Sequence, residues 1–166
     1  FCFLAGKPNI DLLKAEPTEK CAGFFIMIPG NEVWHNLIEK IYGSSVKKII
    51  RYATKKDTEF DLSKLVNITK LECKDYNFEF IGKKLYEEAL KNKWSADLCS
   101  QFKTYEEYRE LGIGVAALFK GELVSGASSY TVFNGGIEIE VDTRMDHRRK
   151  RLALICSAKL ILECLK

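Results

Sequence analysis

Two adjacent stretches carry the residue types that could do chemistry. In Ile137-Glu138-Ile139-Glu140-Val141-Asp142-Thr143 apolar and acidic residues alternate. A period of two puts Ile137, Ile139 and Val141 on one strand face and Glu138, Glu140 and Asp142 on the other. Three carboxylates on one face repel each other, and each wants solvent, a cation or a reactive role. A carboxylate that is partly buried beside others holds its proton more tightly, which suits a general base acting on an amine. A solvated outer sheet face is the plainer reading of the same pattern. Residues 144–151 follow, with five basic side chains and one acid, Asp146. They end where a long helix begins, at a first turn with unpaired N–H groups and the positive end of the peptide dipoles. A basic loop feeding that turn can hold phosphates. A solvated basic turn accounts for the charge equally well.

The elements that would position these residues are legible around them. Residues 113–119 and 123–133 read as strands joined by Lys120-Gly121-Glu122, and Asn134-Gly135-Gly136 is a strong hairpin signal, since Asn and Gly accept the positive φ of tight hairpin turns. With residues 137–143 they predict a three-stranded antiparallel meander. From Leu152 the apolar positions Leu152, Leu154, Ile155, Ala158, Ile161, Leu162 and Leu165 predict a helix lying on it. That helix runs to Lys166 with no stop signal, so a missing C-terminal part is expected. Before the meander, Tyr76-Asn77-Phe78-Glu79-Phe80 alternates like a half-buried strand, and residues 83–91 suit a helix. Thr104 and Glu107 form a capping box opening a helix to Leu111. Residues 94–102 are irregular, with Trp94, Asp97, Gln101 and Phe102.

Residues 1–70 read as a separate, smaller α/β unit. Strands are expected over 1–5, 24–28 and 46–52. Asn9, Asn31 and Asp61 are expected to cap helices over 10–15, 33–41 and 62–70, with Gly43 ending the second. Trp34 reads as packed and His35 as a surface residue.

Composition bounds the rest. The chain has 166 residues, 46% of them hydrophobic and 30% charged, with a net charge of +3. That is globular, and it excludes a disordered tail, a collagen-like repeat and a small disulfide knot. Residues 1–70 carry 11 basic and 8 acidic groups, and residues 71–166 carry 15 of each. The excess is too small to point to a polyanion, so no nucleic-acid partner is expected. The six cysteines, at 2, 21, 73, 99, 156 and 164, show no Cys-x-x-Cys spacing and no nearby histidine. No metal site is expected, and free or buried thiols point to the cytoplasm. Cys156 and Cys164 read as core residues of the last helix. The longest apolar run, residues 24–29, falls far short of the ~20 residues of a membrane span, so no membrane partner is expected.

The order of strand, hairpin, acidic strand, basic loop and long helix resembles the core of the GNAT superfamily of acetyltransferases. The coenzyme A loop of that family has the pattern Arg/Gln-x-x-Gly-x-Gly/Ala, and here it reads Arg148-Arg149-Lys150-Arg151-Leu152-Ala153. The runs Gly121-Glu122-Leu123-Val124-Ser125-Gly126-Ala127-Ser128-Ser129-Tyr130 and Gly135 onward to Thr143 are similar to a bacterial subgroup with an extra N-terminal unit. The resemblance implies a GNAT-like core in residues 71–166, incomplete at its C-terminal end, behind an N-terminal unit in residues 1–70.

It further implies an acetyl-CoA-dependent N-acetyltransferase. Backbone groups at Asp142 and Thr143 would pair with pantetheine, and an N–H there would polarise the thioester carbonyl. Arg148, Arg149, Lys150, Arg151, Leu152 and Ala153 would hold the pyrophosphate. Glu138 or Glu140 would take the amine's proton. Trp94, Gln101 and Phe102 would meet the acceptor, a small-molecule or peptide amine. Arg151 stands where the family has glycine, which leaves a catalytically inactive or truncated GNAT-like domain, with weak or no CoA binding, as the alternative. Without a fifth strand the sheet edge is unpaired. Either a second subunit covers it, as a homodimer, or the chain is prone to aggregate.

Overall fold

A computed structural model describes residues 2–15, 25–50, 52 and 59–166. The chain divides into two compact units, Phe1–Lys55 and Lys56–Lys166.

In the first unit, β1 (Cys2–Leu4) and β2 (Met27–Pro29) pair in parallel, with α1 (Ile10–Lys14) in the crossover that parallel pairing requires. The Asn9 side chain caps α1, accepting from Asp11 N–H at 2.8 Å. Asn31 caps α2 (Glu32–Tyr42) by accepting from Trp34 N–H at 3.0 Å. Gly43 ends α2 with a φ of 48°. Leu4, Leu13, Trp34 and Ile38 form the core. Trp34 is fully buried, and its indole N–H donates to the Gly6 carbonyl at 3.1 Å, so its one polar atom is satisfied. His35 is half-buried beside Glu39. The strand expected over 46–52 does not form over 46–50. Ile49 and Ile50 are exposed there, and among the described residues no neighbouring strand supplies ladder partners. Arg51 lies outside the described residues, as do the Pro17 stop and Phe24.

The second unit opens with α3 (Leu62–Thr69), capped by Asp61, which accepts from Lys64 N–H at 2.9 Å. Next come β3 (Tyr76–Phe80) and α4 (Lys83–Lys91), then a 3-10 turn, Ala96–Leu98, and α5 (Tyr105–Leu111). The meander follows as β4 (Gly114–Phe119), β5 (Glu122–Phe133) and β6 (Gly136–Thr143), and α6 (Leu152–Cys164) closes the unit. The three meander strands form one sheet with β3, in the order β3-β4-β5-β6, all antiparallel. The helix 62–69, grouped by sequence with the N-terminal segment, packs along α6 in this unit.

The central strands β4 and β5 are covered on both faces. On one side α4, α5 and the 94–102 segment cover them with Leu85, Tyr86, Leu98, Phe102 and Tyr108. On the other, Leu152, Cys156 and Leu160 of α6 pack on Val115, Ala117, Val124 and Ala127. This is the helix-on-meander packing that the apolar face from Leu152 predicts. Cys164 departs from its expected core role. It sits exposed in the last turn of α6. Cys2, Cys73, Cys99 and Cys156 are also free thiols, and Cys21 lies outside the described residues.

Candidate functional site

The acidic strand is β6, the last strand of the sheet among the described residues. The Arg144 N–H donates to the Val124 carbonyl at 2.9 Å. Bonded and non-bonded pairs alternate in an antiparallel ladder. Asp142 and Glu140, opposite Gly126 and Ser128, therefore bond back to β5. The backbone groups of Ile139, Val141 and Thr143 are left at the open edge. Asp142 accepts the Thr143 N–H at 2.8 Å through Oδ1, and the Glu140 carboxylate accepts the Val141 N–H.

The alternation of β6 survives in three dimensions, but its two faces are unequal. Ile137 packs against the core under α6, whereas Ile139 and Val141 are partly exposed. Glu138 is exposed and Glu140 half-buried. Burial pushes the Glu140 carboxyl above its ordinary value, and the neighbouring carboxylates of Asp97 and Asp142 push it the same way. Asp97 comes from the Ala96–Leu98 turn. That turn reaches the sheet because Gly126 leaves room for Leu98: a Cβ on Gly126 would lie 2.8 Å from Leu98 Cδ1. A glycine inside a buried strand signals close approach. That is the one sequence cue that could have added Asp97 to the site.

The 94–102 segment lies on the Glu140 side of the sheet, and its residues play different parts. Gln101 is exposed and Trp94 half-buried. Phe102 is buried in the core, its ring edge-on to Tyr108 with centroids 5.1 Å apart. It supports the segment from beneath.

The basic loop leaves β6 through a 3-10 turn, Met145–His147. Much of its charge is already paired. Arg144 binds Asp146 at 2.9 Å and Glu122 at 3.3 Å, which raises the Arg144 pKa and lowers that of Asp146. The Arg148 Nε donates to the Thr143 carbonyl at 3.2 Å, tying the loop to the end of β6. Lys150 turns away to donate to Tyr76 Oη at 3.0 Å. The guanidinium groups of Arg149 and Arg151 make no hydrogen bond or ion pair among the described residues.

The backbone of this loop is unusual. Arg149 and Arg151 both have a φ of 65°, in the left-handed region, and Arg151 is the N-cap of α6 without a side-chain cap bond. The backbone N–H groups of residues 149–154 make no hydrogen bond among the described residues, and the first helical bond there runs from Ile155 N–H to the Arg151 carbonyl at 3.1 Å. A run of unpaired N–H groups at a helix N-terminus is an anion-binding concavity. Leu152 and Ala153 contribute through their backbone, Leu152 keeping its side chain in the core.

Left-handed backbone costs a non-glycine residue ~1–2 kcal/mol, and glycine returns part of that as unfolded-state entropy. Arg151→Gly is therefore expected to stabilise the fold by about 0.5–1 kcal/mol, seen as a higher Tm. Arg151→Ala should give no such gain. Equal Tm values for all three proteins would remove the strain argument.

Comparison with known proteins gives this geometry a family. The profile of the GNAT acetyltransferases matches residues 1–166. The crystal structure of a GCN5-related N-acetyltransferase-like protein from Streptococcus suis 89/1591 is 47% identical, with a TM-score of 0.87. The match covers 98% of this chain and 64% of that one, so this chain spans just under two thirds of that relative's length. A GCN5-related N-acetyltransferase from Kribbella flavida matches at 17% identity and a TM-score of 0.44, over 59% of this chain and 38% of its own. No curated protein matches the chain. Strand, loop and helix therefore have the residue order and the arrangement of one family, over the full length of the sequence: the chain belongs to the GNAT acetyltransferases.

Proposed function

We propose that this protein is an acetyl-CoA-dependent N-acetyltransferase that acts on a primary amine by direct attack on the thioester. The observation that carries the reading is the row of unpaired N–H groups at residues 149–154, open at the N-terminus of α6. It suits the CoA pyrophosphate without any side-chain ligand, and the free guanidinium groups of Arg149 and Arg151 add charge beside it. Arg148, which ties the loop to Thr143, and Lys150, which ties it to Tyr76, hold the loop in place. Leu152 and Ala153 open the helix. The pantetheine arm runs along the open edge of β6 past Asp142 and Thr143, where a backbone N–H released by its side-chain acceptor polarises the thioester carbonyl.

Glu140 is the better placed of the two candidate bases. It is half-buried and holds its proton more tightly than an ordinary glutamate, whereas Glu138 is exposed. In the reaction the amine nitrogen bonds to the thioester carbonyl carbon as the C–S bond breaks. Glu140 takes the amine's proton, CoA leaves as the thiolate, and the proton passes from Glu140 through solvent to give the thiol. Burial pushes the thiols of Cys99 and Cys156 up to about 12, so neither is a thiolate near neutral pH, which supports a mechanism without a covalent enzyme intermediate. The acceptor enters beside Trp94 and Gln101, and the acidic surroundings of Asp97, Glu138 and Asp142 suit a cationic amine, free or on a peptide. The reading includes a cytoplasmic setting and a homodimer.

Isothermal titration of acetyl-CoA and CoA into the 166-residue chain and into Arg151→Gly tests it. Micromolar binding that weakens with added salt supports the phosphate cradle. Binding only in Arg151→Gly would mean that the arginine blocks the approach glycine allows, and would favour the inactive GNAT-like domain. Binding in neither would overturn the reading.

A further inference from the structure

We propose that Tyr76 is a positioning residue for the CoA loop: with His147 it holds residues 147–151 in the conformation that aims the loop's N–H groups at an anion. The inference rests on the reading of that loop as a pyrophosphate site. Tyr76 lies on β3, at the opposite edge of the sheet from β6. Its hydroxyl nonetheless meets two loop side chains. His147 Nδ1 is 2.8 Å away and Lys150 Nζ is 3.0 Å away.

His147 is 5% exposed, and its hydrogen bonds define its tautomer. Arg144 Nη2, which can only donate, lies 2.8 Å from Nε2, closer than the Asp146 Oδ2 at 3.4 Å. That leaves Nδ1 to carry the proton and donate to Tyr76. Tyr76 thus accepts two hydrogen bonds, from positions three apart in the loop, and fixes the turn between them. The contacts around the imidazole hold the assembly in register. The Tyr76 and His147 rings meet edge-on at 5.7 Å, Phe119 packs on His147 at 5.0 Å, and the Lys150 ammonium lies 5.7 Å from the centre of the Tyr76 ring.

A second contact from the same side sets the direction of the backbone. The Cys73 thiol lies 3.7 Å from the Lys150 carbonyl oxygen. In a trans peptide the C=O and the following N–H point in opposite directions. A Lys150 carbonyl turned toward Cys73 therefore turns the Arg151 N–H away from it. The clamp thus supplies a reason for two arginines to stay in left-handed backbone: the turn between them is held from outside by side chains of β3 and its approach. It also accounts for Lys150, whose ammonium is spent on Tyr76 rather than on a phosphate.

The test compares CoA affinity and thermal stability for the wild-type chain and three variants. Tyr76→Phe keeps the ring and removes the hydroxyl. His147→Gln can still accept from Arg144 and donate to Tyr76, whereas His147→Leu can do neither. Tyr76→Phe and His147→Leu are expected to bind CoA about tenfold more weakly, the scale of one lost hydrogen bond to a charged group. His147→Gln is expected to bind like wild type. A purely structural role would lower Tm without this rescue. Wild-type affinity in Tyr76→Phe overturns the positioning role alone. His147→Gln binding as poorly as His147→Leu overturns the relay through the imidazole. No CoA binding by the wild-type chain overturns the loop reading, and the positioning role with it. Should His147→Leu fail to fold, Tyr76→Phe and His147→Gln decide the matter.

Discussion

Under the proposed reaction, Glu140→Gln is expected to slow acetyl transfer by about 10²–10⁴-fold, the usual contribution of a positioned general base. The same variant is expected to be more stable than wild type at neutral pH. Burial, then Asp97, then Asp142 raise the pKa of Glu140 above its ordinary value of 4.5. The folded protein therefore binds this proton more tightly than the unfolded chain does. Wild-type stability falls as pH rises from the unfolded value through the raised folded one, and stays lowered above it. Glutamine carries no charge to desolvate, so the variant avoids that cost. Its advantage should vanish only below the ordinary value of 4.5, where the wild-type side chain is neutral in the folded and the unfolded chain alike. Melting curves across pH and CoA release with an amine acceptor check both halves. Glu138→Gln, at an exposed position, should show neither effect to the same degree. A variant that lost activity and also lost stability at neutral pH would mean that Glu140 is held by favourable contacts, and the assignment as a poised base would fail.

Gly114→Ala is expected to be among the most damaging single-methyl changes in the second unit. A Cβ at Gly114 would fall against Tyr108 Oη, 2.7 Å from Ser128 Oγ and 2.8 Å from Ile81 Cδ1. Tyr108 and Ser128 are both buried and share a hydrogen bond of 2.9 Å. All three atoms are the ends of buried side chains, and separating the two hydroxyls strands polar atoms in the core. Overpacking of this kind costs about 1–3 kcal/mol. The consequence reaches the site, because Ser128 lies directly opposite Glu140 in the ladder. Tyr108→Phe should destabilise by itself, through the lost hydrogen bond, but should soften the effect of Gly114→Ala, because the atom met first is gone. A double-mutant cycle by chemical denaturation measures this coupling. Additive losses would show that the clash with Tyr108 is not what Gly114 avoids.

The local elements were legible because their causes lie within a few residues. Asn9, Asn31, Asp61 and Thr104 all cap the helices that their positions announced, each accepting an N–H two or three residues on. Asn134 and Gly135 make the two-residue turn between β5 and β6, with a φ of 83° at Gly135. Strand periodicity and the apolar face of α6 also read directly, since both express which side of an element meets the core. The order of acidic strand, basic loop and helix carried the family resemblance, because the linear order of a continuous binding loop is its spatial order.

Only the tertiary structure decided the rest. Tyr76 and His147 are 71 residues apart and Tyr76 and Lys150 are 74 apart, and no local pattern joins them. Pairing of β3 with β4 brings them together. Asp97 sits in an irregular segment, and it reaches Glu140 only because Leu98 seats on Gly126. Phe102 shared that segment and its aromatic character with Trp94, yet packing turned it inward. Residues 46–50 had the composition of a strand and have no strand partner among the described residues. Arg151 looked like a substitution in a motif, and its left-handed φ shows that the backbone demanded by glycine is kept although glycine is not. Side-chain type sets what a residue can do, but the neighbours that decide whether it does so come from the long-range contacts of the fold.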